Sequence, residues 1–171
     1  ELYHAAYRGW SANGEYAFIG DQVLTLSDKT LRALPSQPTL EKPSYRIAKA
    51  WHPTEGVYLS IYTDNQQHLV VNFLDVENLT YREKKFDLPA NFNGTYYSDS
   101  AGIVWNPLGN RFALAAADGS IWQLDYPQAE HLEQLSMPTA DTKDISWSPD
   151  GRYLSYIYEA DIYIVDTESK P

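Results

Sequence analysis

Apolar and polar positions alternate along this chain in short runs, the pattern of strands separated by turns. Tyr153-Leu154-Ser155-Tyr156-Ile157 and Asp161-Ile162-Tyr163-Ile164-Val165-Asp166 are rich in β-branched and aromatic residues, which suit a pleated surface and predict two neighbouring strands. Ahead of them stands Trp147-Ser148-Pro149-Asp150-Gly151. Proline brings the fixed φ of a first turn corner, aspartate hydrogen-bonds the local backbone, and glycine accepts the positive φ that follows. Helical periodicity is weak throughout, and its best instance predicts a turn of helix over Gln128 to Leu135.

The tryptophan-led turn recurs. Earlier copies are Trp10-Ser11-Ala12-Asn13-Gly14, Trp51-His52-Pro53-Thr54-Glu55-Gly56 and Trp105-Asn106-Pro107-Leu108-Gly109, each followed by a strand-like run. Successive tryptophans lie 41, 54 and 42 residues apart. A period of about 40 to 45 residues containing several strands marks a β-propeller, in which each repeat is one four-stranded blade. The expected fold class is therefore all-β, with residues 1–171 forming a single propeller segment of four repeats led by Trp10, Trp51, Trp105 and Trp147.

Each unit reads as an inner strand entering the tryptophan, a second strand after the turn, a third ending near an aspartate, and an outer strand. The aspartates are Asp28, Asp75, Asp125 and Asp166, expected to accept turn amides. Outer strands are expected over Thr30 to Leu34, Tyr81 to Leu88 and Leu132 to Met137, with Arg82-Glu83-Lys84-Lys85 guarding an edge against pairing with other sheets. The four indoles are expected to wedge between neighbouring blades, where they bury the most apolar area.

The tract Trp147-Ser148-Pro149-Asp150-Gly151-Arg152-Tyr153-Leu154, closed by Asp161-Ile162-Tyr163-Ile164-Val165-Asp166, resembles the TolB-like (WD-like) propeller repeat. Similar repeats occur in prolyl-oligopeptidase-type and dipeptidyl-peptidase-type hydrolases and in periplasmic parts of ToxR- or CadC-like membrane regulators. The resemblance implies a fold and carries no catalytic residue with it. No Gly-x-Ser-x-Gly occurs in the chain, whereas the hydrolases of this kind keep their serine in a separate domain. Four units are fewer than such propellers usually carry. A partial propeller, or a half-ring completed by a second copy, is expected in preference to a strained four-bladed ring, because an open propeller leaves blade faces and strand edges unsatisfied.

Composition narrows the partners. A formal net charge of -10 argues against nucleic acid, whose phosphates demand a basic face. There are no cysteines, which removes disulfides, thiolate metal sites and thiol nucleophiles. No apolar run approaches the ~20 residues that cross a bilayer, and Glu1-Leu2-Tyr3-His4 lacks the features of a signal peptide. Direct membrane insertion of this segment is not expected.

Propeller ligands gather on the face built by loops between second and third strands and by blade-to-blade connections. The first kind presents Asp21-Gln22, Thr63 to His68, Asp118-Gly119 and Glu159 to Asp161; the second presents Ser36 to Ser44 and Ala90 to Ser100. In the longest repeat, Phe92, Tyr96 and Tyr97 stand among Asn, Ser and Gly, a composition that pairs rigid contact area with adaptable hydrogen bonding. These three, with Asp64 and His68, are the expected binding residues. Asp21, Asp64, Asp118 and Asp161 recur at comparable loop positions but lack the dense oxygen-ligand spacing of a calcium loop, and the four histidines are scattered. No catalytic residue, metal or cofactor is expected. The reading is a non-catalytic interaction or sensory module, periplasmic or extracellular, that binds a protein or small ligand as part of a larger protein. Its partners would be another protein and a second copy or the remainder of a longer propeller. The alternative is the substrate-gating propeller of a serine peptidase or other hydrolase whose catalytic domain lies elsewhere.

Overall fold

A computed structural model describes residues 9–36, 45–64, 66, 68–88, 102–116, 118–136 and 142–168. Each repeat forms one antiparallel sheet whose strands follow chain order. Blade 1 is β1 (Gly9–Trp10), β2 (Tyr16–Ile19), β3 (Gln22–Thr25) and β4 (Thr30–Ala33). Blade 2 is β5 (Tyr45–Trp51), β6 (Val57–Thr63), β7 (His68–Asp75) and β8 (Thr80–Asp87). Blade 3 is β9 (Ile103–Trp105), β10 (Arg111–Ala115), β11 (Ile121–Asp125) and β12 (Glu133–Gln134). Blade 4 is β13 (Lys143–Trp147), β14 (Tyr153–Tyr158) and β15 (Asp161–Asp166).

The helical turn expected over Gln128 to Leu135 does not form. Residues 126–128 make a turn, and Glu133–Gln134 pair with β11 as the outer strand. Leu132 and Leu135 have helical spacing, but the strand sends them to opposite faces, Leu132 toward blade 2 and Leu135 toward blade 4.

The core lies between blades, as side-chain alternation requires. Leu59, Ile61, Leu69, Val71 and Phe73 of blade 2 meet Ile103, Phe112, Leu114, Trp122 and Leu124 of blade 3. Phe18 and Val23 of blade 1 meet Tyr58, Leu74 and Val76 of blade 2; Ala113, Ala115 and Ile121 of blade 3 meet Ile145, Trp147, Leu154 and Tyr156 of blade 4. Trp51 stacks on Phe18 of the preceding blade at 4.7 Å between ring centroids, and Trp147 Nε1 donates to the Val104 carbonyl of its preceding blade at 3.1 Å. Trp105 meets His52 of blade 2 edge-on at 4.6 Å. Trp10 departs from the expectation: it is 58% exposed. The other three indoles pack on the blade before their own, and among the described residues no such blade meets Trp10.

The turns between first and second strands latch the blades together. His52, almost wholly buried, accepts the Thr54 and Glu55 amides at Nδ1, which places its proton on Nε2, and Nε2 donates to the Gly109 carbonyl of blade 3 at 2.8 Å. Asn106 repeats the arrangement: Oδ1 accepts the Leu108 amide, and Nδ2 donates to the Gly151 carbonyl of blade 4 at 2.7 Å. In blade 1, Asn13 caps the Glu15 amide and reaches the Thr54 carbonyl at 3.4 Å. One side chain thus satisfies its own turn and the backbone of the next.

Third-strand aspartates behave as expected at three positions. Asp28 accepts the Thr30 amide, Asp75 those of Glu77 and Asn78, and Asp166 that of Glu168. Asp125 lies instead 3.8 Å from Arg111 Nε. Arg82-Glu83-Lys84-Lys85 is more than an edge guard. The Arg82 guanidinium covers the rings of Phe73 and, across the junction, Tyr126, while Arg32 in the equivalent strand of blade 1 donates to the Val76 and Glu77 carbonyls of blade 2. Tyr126 in turn donates to Glu55 at 3.0 Å; burial and that carboxylate push its pKa up to about 12.

Candidate functional site

β6 ends at Thr63, β7 begins at His68, and β8 ends at Asp87 opposite His68 in the ladder. One end of blade 2 therefore collects Asp64, His68 and Asp87. Asp64 organises it. Its carboxylate accepts the Gln66 and His68 amides at 2.9 Å each, the His68 imidazole at 2.9 Å from Nδ1 to Oδ2, and Lys85 Nζ at 3.4 Å. Burial works to raise the Asp64 pKa, but the bonds from the His68 amide and ring, the Gln66 amide and Lys85 outweigh it and hold the carboxyl down at about 2.

Because Nδ1–H of His68 points at Asp64, Nε2 is left facing Asp87 Oδ1 at 3.5 Å. Lys85 also lies 3.7 Å from Glu83, which accepts the Tyr62 hydroxyl at 3.1 Å. The result is a cluster of polar and charged groups on strand ends in which Asp64 and His68 are held by direct hydrogen bonds, with Lys85 beside them and the Asp87 carboxylate exposed at the rim. Such a set suits recognition of a polar surface, since the Asp64–His68 pair at its centre is held before a partner arrives.

Of the five sequence-predicted residues, Asp64 and His68 are brought into direct contact. Phe92, Tyr96 and Tyr97 lie outside the described residues. Leu88, which follows Asp87, and Gly102, at the start of blade 3, bracket the segment that contains them, so it leaves blade 2 beside His68. The sequence reading missed Tyr62, Glu83, Lys85 and Asp87. A signal was present: Glu83, Lys85 and Asp87 alternate along β8 and so share one face, but the run of mixed charge reads as an edge. Asp118 is committed to its own loop, accepting the Ser120 amide and hydroxyl. Among the described residues no three His, Asp or Glu side chains come together to hold a metal ion.

A TolB-type protein from Agrobacterium tumefaciens superposes with a TM-score of 0.57 at 15% identity, over 95% of this chain and 61% of that one. The fold is a β-propeller. A chain of the mitotic checkpoint complex is similar to the propeller at a TM-score of 0.61 and 18% identity, over 97% of this chain and 48% of that one. The propeller thus spans under two thirds of both. The family model for the dipeptidyl peptidase IV (DPP IV) N-terminal region matches residues 115–171, which take in β11 to β15. No curated protein matches the propeller's sequence. These likenesses show the fold, a β-propeller built from repeated antiparallel blades. No helix among the described residues is long and apolar enough to cross a membrane.

The Asp64 network makes a pH prediction. A carboxyl held at about 2 in the folded state and near 4 when unfolded contributes stability above pH 4 that is lost as the pH falls from about 4 to 2. The side chain is 17% exposed, and solvent screening leaves about 1 kcal/mol. Asp64→Asn is expected to lower stability by that amount at pH 7 and to flatten the loss between pH 4 and 2 in urea titrations. An unchanged acid limb would show that the carboxylate contributes nothing.

Proposed function

We propose that the propeller is a non-catalytic interaction or sensory module that binds a protein through the loops at the Asp64 end of its blades. It acts outside the cytoplasm as part of a larger protein. The observation that carries this reading is the hydrogen-bonded pair of Asp64 and His68 with Lys85 and Asp87 beside it, on the strand end from which the chain runs on toward Phe92, Tyr96 and Tyr97. Charged groups give orientation and rate of encounter, and aromatic side chains give affinity.

The test uses a photo-crosslinking residue at position 66 or 97, and at Leu108 on the opposite end as control, with the protein in its native host. Saturable adducts are expected from 66 and 97, competed by excess unlabelled protein, and those from 66 are lost in the His68→Ala, Tyr96→Ala, Tyr97→Ala combination while the circular dichroism spectrum stays the same. Adducts equal at both ends, or unaffected by the triple change, would overturn the proposal.

A second reading rests on the family match over residues 115–171: the propeller gates substrate entry to a serine peptidase or other hydrolase domain in the same protein. A fluorophosphonate probe applied to the protein expressed from its native gene separates the two. Labelled serine supports gating; an unlabelled protein with site-specific adducts supports the interaction module.

A further inference from the structure

His68 sits between two carboxylates. Its Nδ1 lies 2.9 Å from Asp64 Oδ2, and its Nε2 lies 3.5 Å from Asp87 Oδ1. An ionised carboxylate can only accept hydrogen bonds, so the single proton of a neutral His68 stands on Nδ1, facing Asp64. Nε2 then turns a lone pair toward Asp87, an acceptor facing an acceptor. Both ring nitrogens find partners only when both carry protons, and histidine is the side chain that changes charge between about pH 5 and 8.

Among the described residues, the titratable groups around the ring come from three elements. The loop after β6 contributes Asp64; β8 contributes Glu83, Lys85 and Asp87; β6 contributes the Tyr62 hydroxyl, which donates to Glu83. Lys85 lies 3.4 Å from Asp64 and 3.7 Å from Glu83. Three carboxylates outnumber one ammonium, so a second proton on His68 enters a site with negative charge in excess. The His68 side chain is 28% exposed and takes that proton directly from solvent; the Asp87 side chain is 99% exposed and can turn toward a donor.

We propose that His68 is a proton-operated clasp: on gaining its second proton the ring holds Asp87 through Nε2 while keeping Asp64 through Nδ1. His68 and Asp87 stand opposite each other at the end of the ladder between β7 and β8, so the clasp ties the last residue of β8 to the loop that precedes β7. Asp87 is also the residue from which the chain runs on toward Phe92, Tyr96 and Tyr97. Mild acid therefore firms the strand end and changes the charge offered to a partner; the effect on a partner rests on the interaction reading above, and the clasp does not. An ion pair this exposed contributes little, so the device works over a few-fold range.

Hydrogen exchange of the whole protein, read by mass spectrometry at about pH 5.5 and about pH 7.5 and corrected for the intrinsic pH dependence of amide exchange, tests the clasp without a partner. Peptides covering Phe86 and Asp87 are expected to exchange about two- to five-fold more slowly at the lower pH, while those covering Phe112 in the core do not change. His68→Gln, which takes up no proton, and Asp87→Asn, which offers no carboxylate, are each expected to abolish the difference with the circular dichroism spectrum unchanged. Equal exchange at the two pH values, or a difference that survives either substitution, overturns the proposal. Photo-crosslinking from position 66 under the same conditions reads the consequence: half-saturation of the adducts is expected to shift with pH in the parent and not in the variants, and a half-saturation indifferent to pH overturns the coupling of the clasp to binding. An exchange difference in a protein that forms no saturable adduct at either pH supports the clasp and overturns the interaction reading instead.

Discussion

Gly109→Ala is expected to cost about 2 to 4 kcal/mol of stability, far more than the same change at Gly14. Both glycines hold φ near +73 degrees, which strains any L side chain. The difference lies in what the methyl group meets. At Gly109 it would collide with His52 Cε1 and Nε2, on a ring fixed by three hydrogen bonds; at Gly14 it would meet no described atom within 4 Å. Gly14→Ala is expected to cost about 1 kcal/mol from the backbone alone. Removing the imbalance with His52→Ala beside Gly109→Ala should recover part of the loss, because the clash goes even though the latch does not. Urea denaturation of the four proteins measures this. Equal costs at Gly14 and Gly109 would show that the latch is energetically idle.

Phe112→Ala is expected to cost about 3 to 5 kcal/mol. Phe112 is completely buried where blade 2 meets blade 3, its ring 5.1 Å from Trp105 and 6.1 Å from Phe73 between centroids. Blades contact only their neighbours, so stability is approximately a sum of blade and junction contributions. Weakening the central junction separates blades 1 and 2 from blades 3 and 4. A lower denaturant slope, with tryptophan fluorescence and circular dichroism no longer coincident, is expected alongside the lost stability. Ile162→Ala, on the open face of blade 4, should move stability by less than about 0.5 kcal/mol. A single sharp transition for Phe112→Ala, close to that of the parent, would contradict the view of the core as a series of junctions.

The contrast between these two pairs explains how far sequence reading could go. Strand positions and blade boundaries were legible because period-2 patterning and the tryptophan-led, glycine-closed turn act locally: each depends on residues within one hairpin. That is why the outer strand expected over Tyr81 to Leu88 lies within one residue of β8. Where spacing was ambiguous, as with Leu132 and Leu135, pairing with β11 decided in favour of strand.

The candidate site divides in the same way. Asp64 and His68 belong to one loop, so their shared location followed from the repeat. Lys85 and Asp87 reach them only because β8 pairs beside β7, a relation no local pattern expresses. The latches are further removed, for His52 and Gly109 are 57 positions apart in the chain. Nothing in Trp51-His52-Pro53 distinguishes a turn histidine from one whose ring spans two blades.

By itself, the sequence determined that this protein is built from four tryptophan-led units of β-strand, because strand, turn and alternation are chosen by neighbouring residues. Only the tertiary structure decided which indoles are covered, which turn side chains reach forward, and which faces stay open. Those outcomes depend on what the adjacent blade places opposite each residue, and adjacency between blades is a property of their packing around the axis.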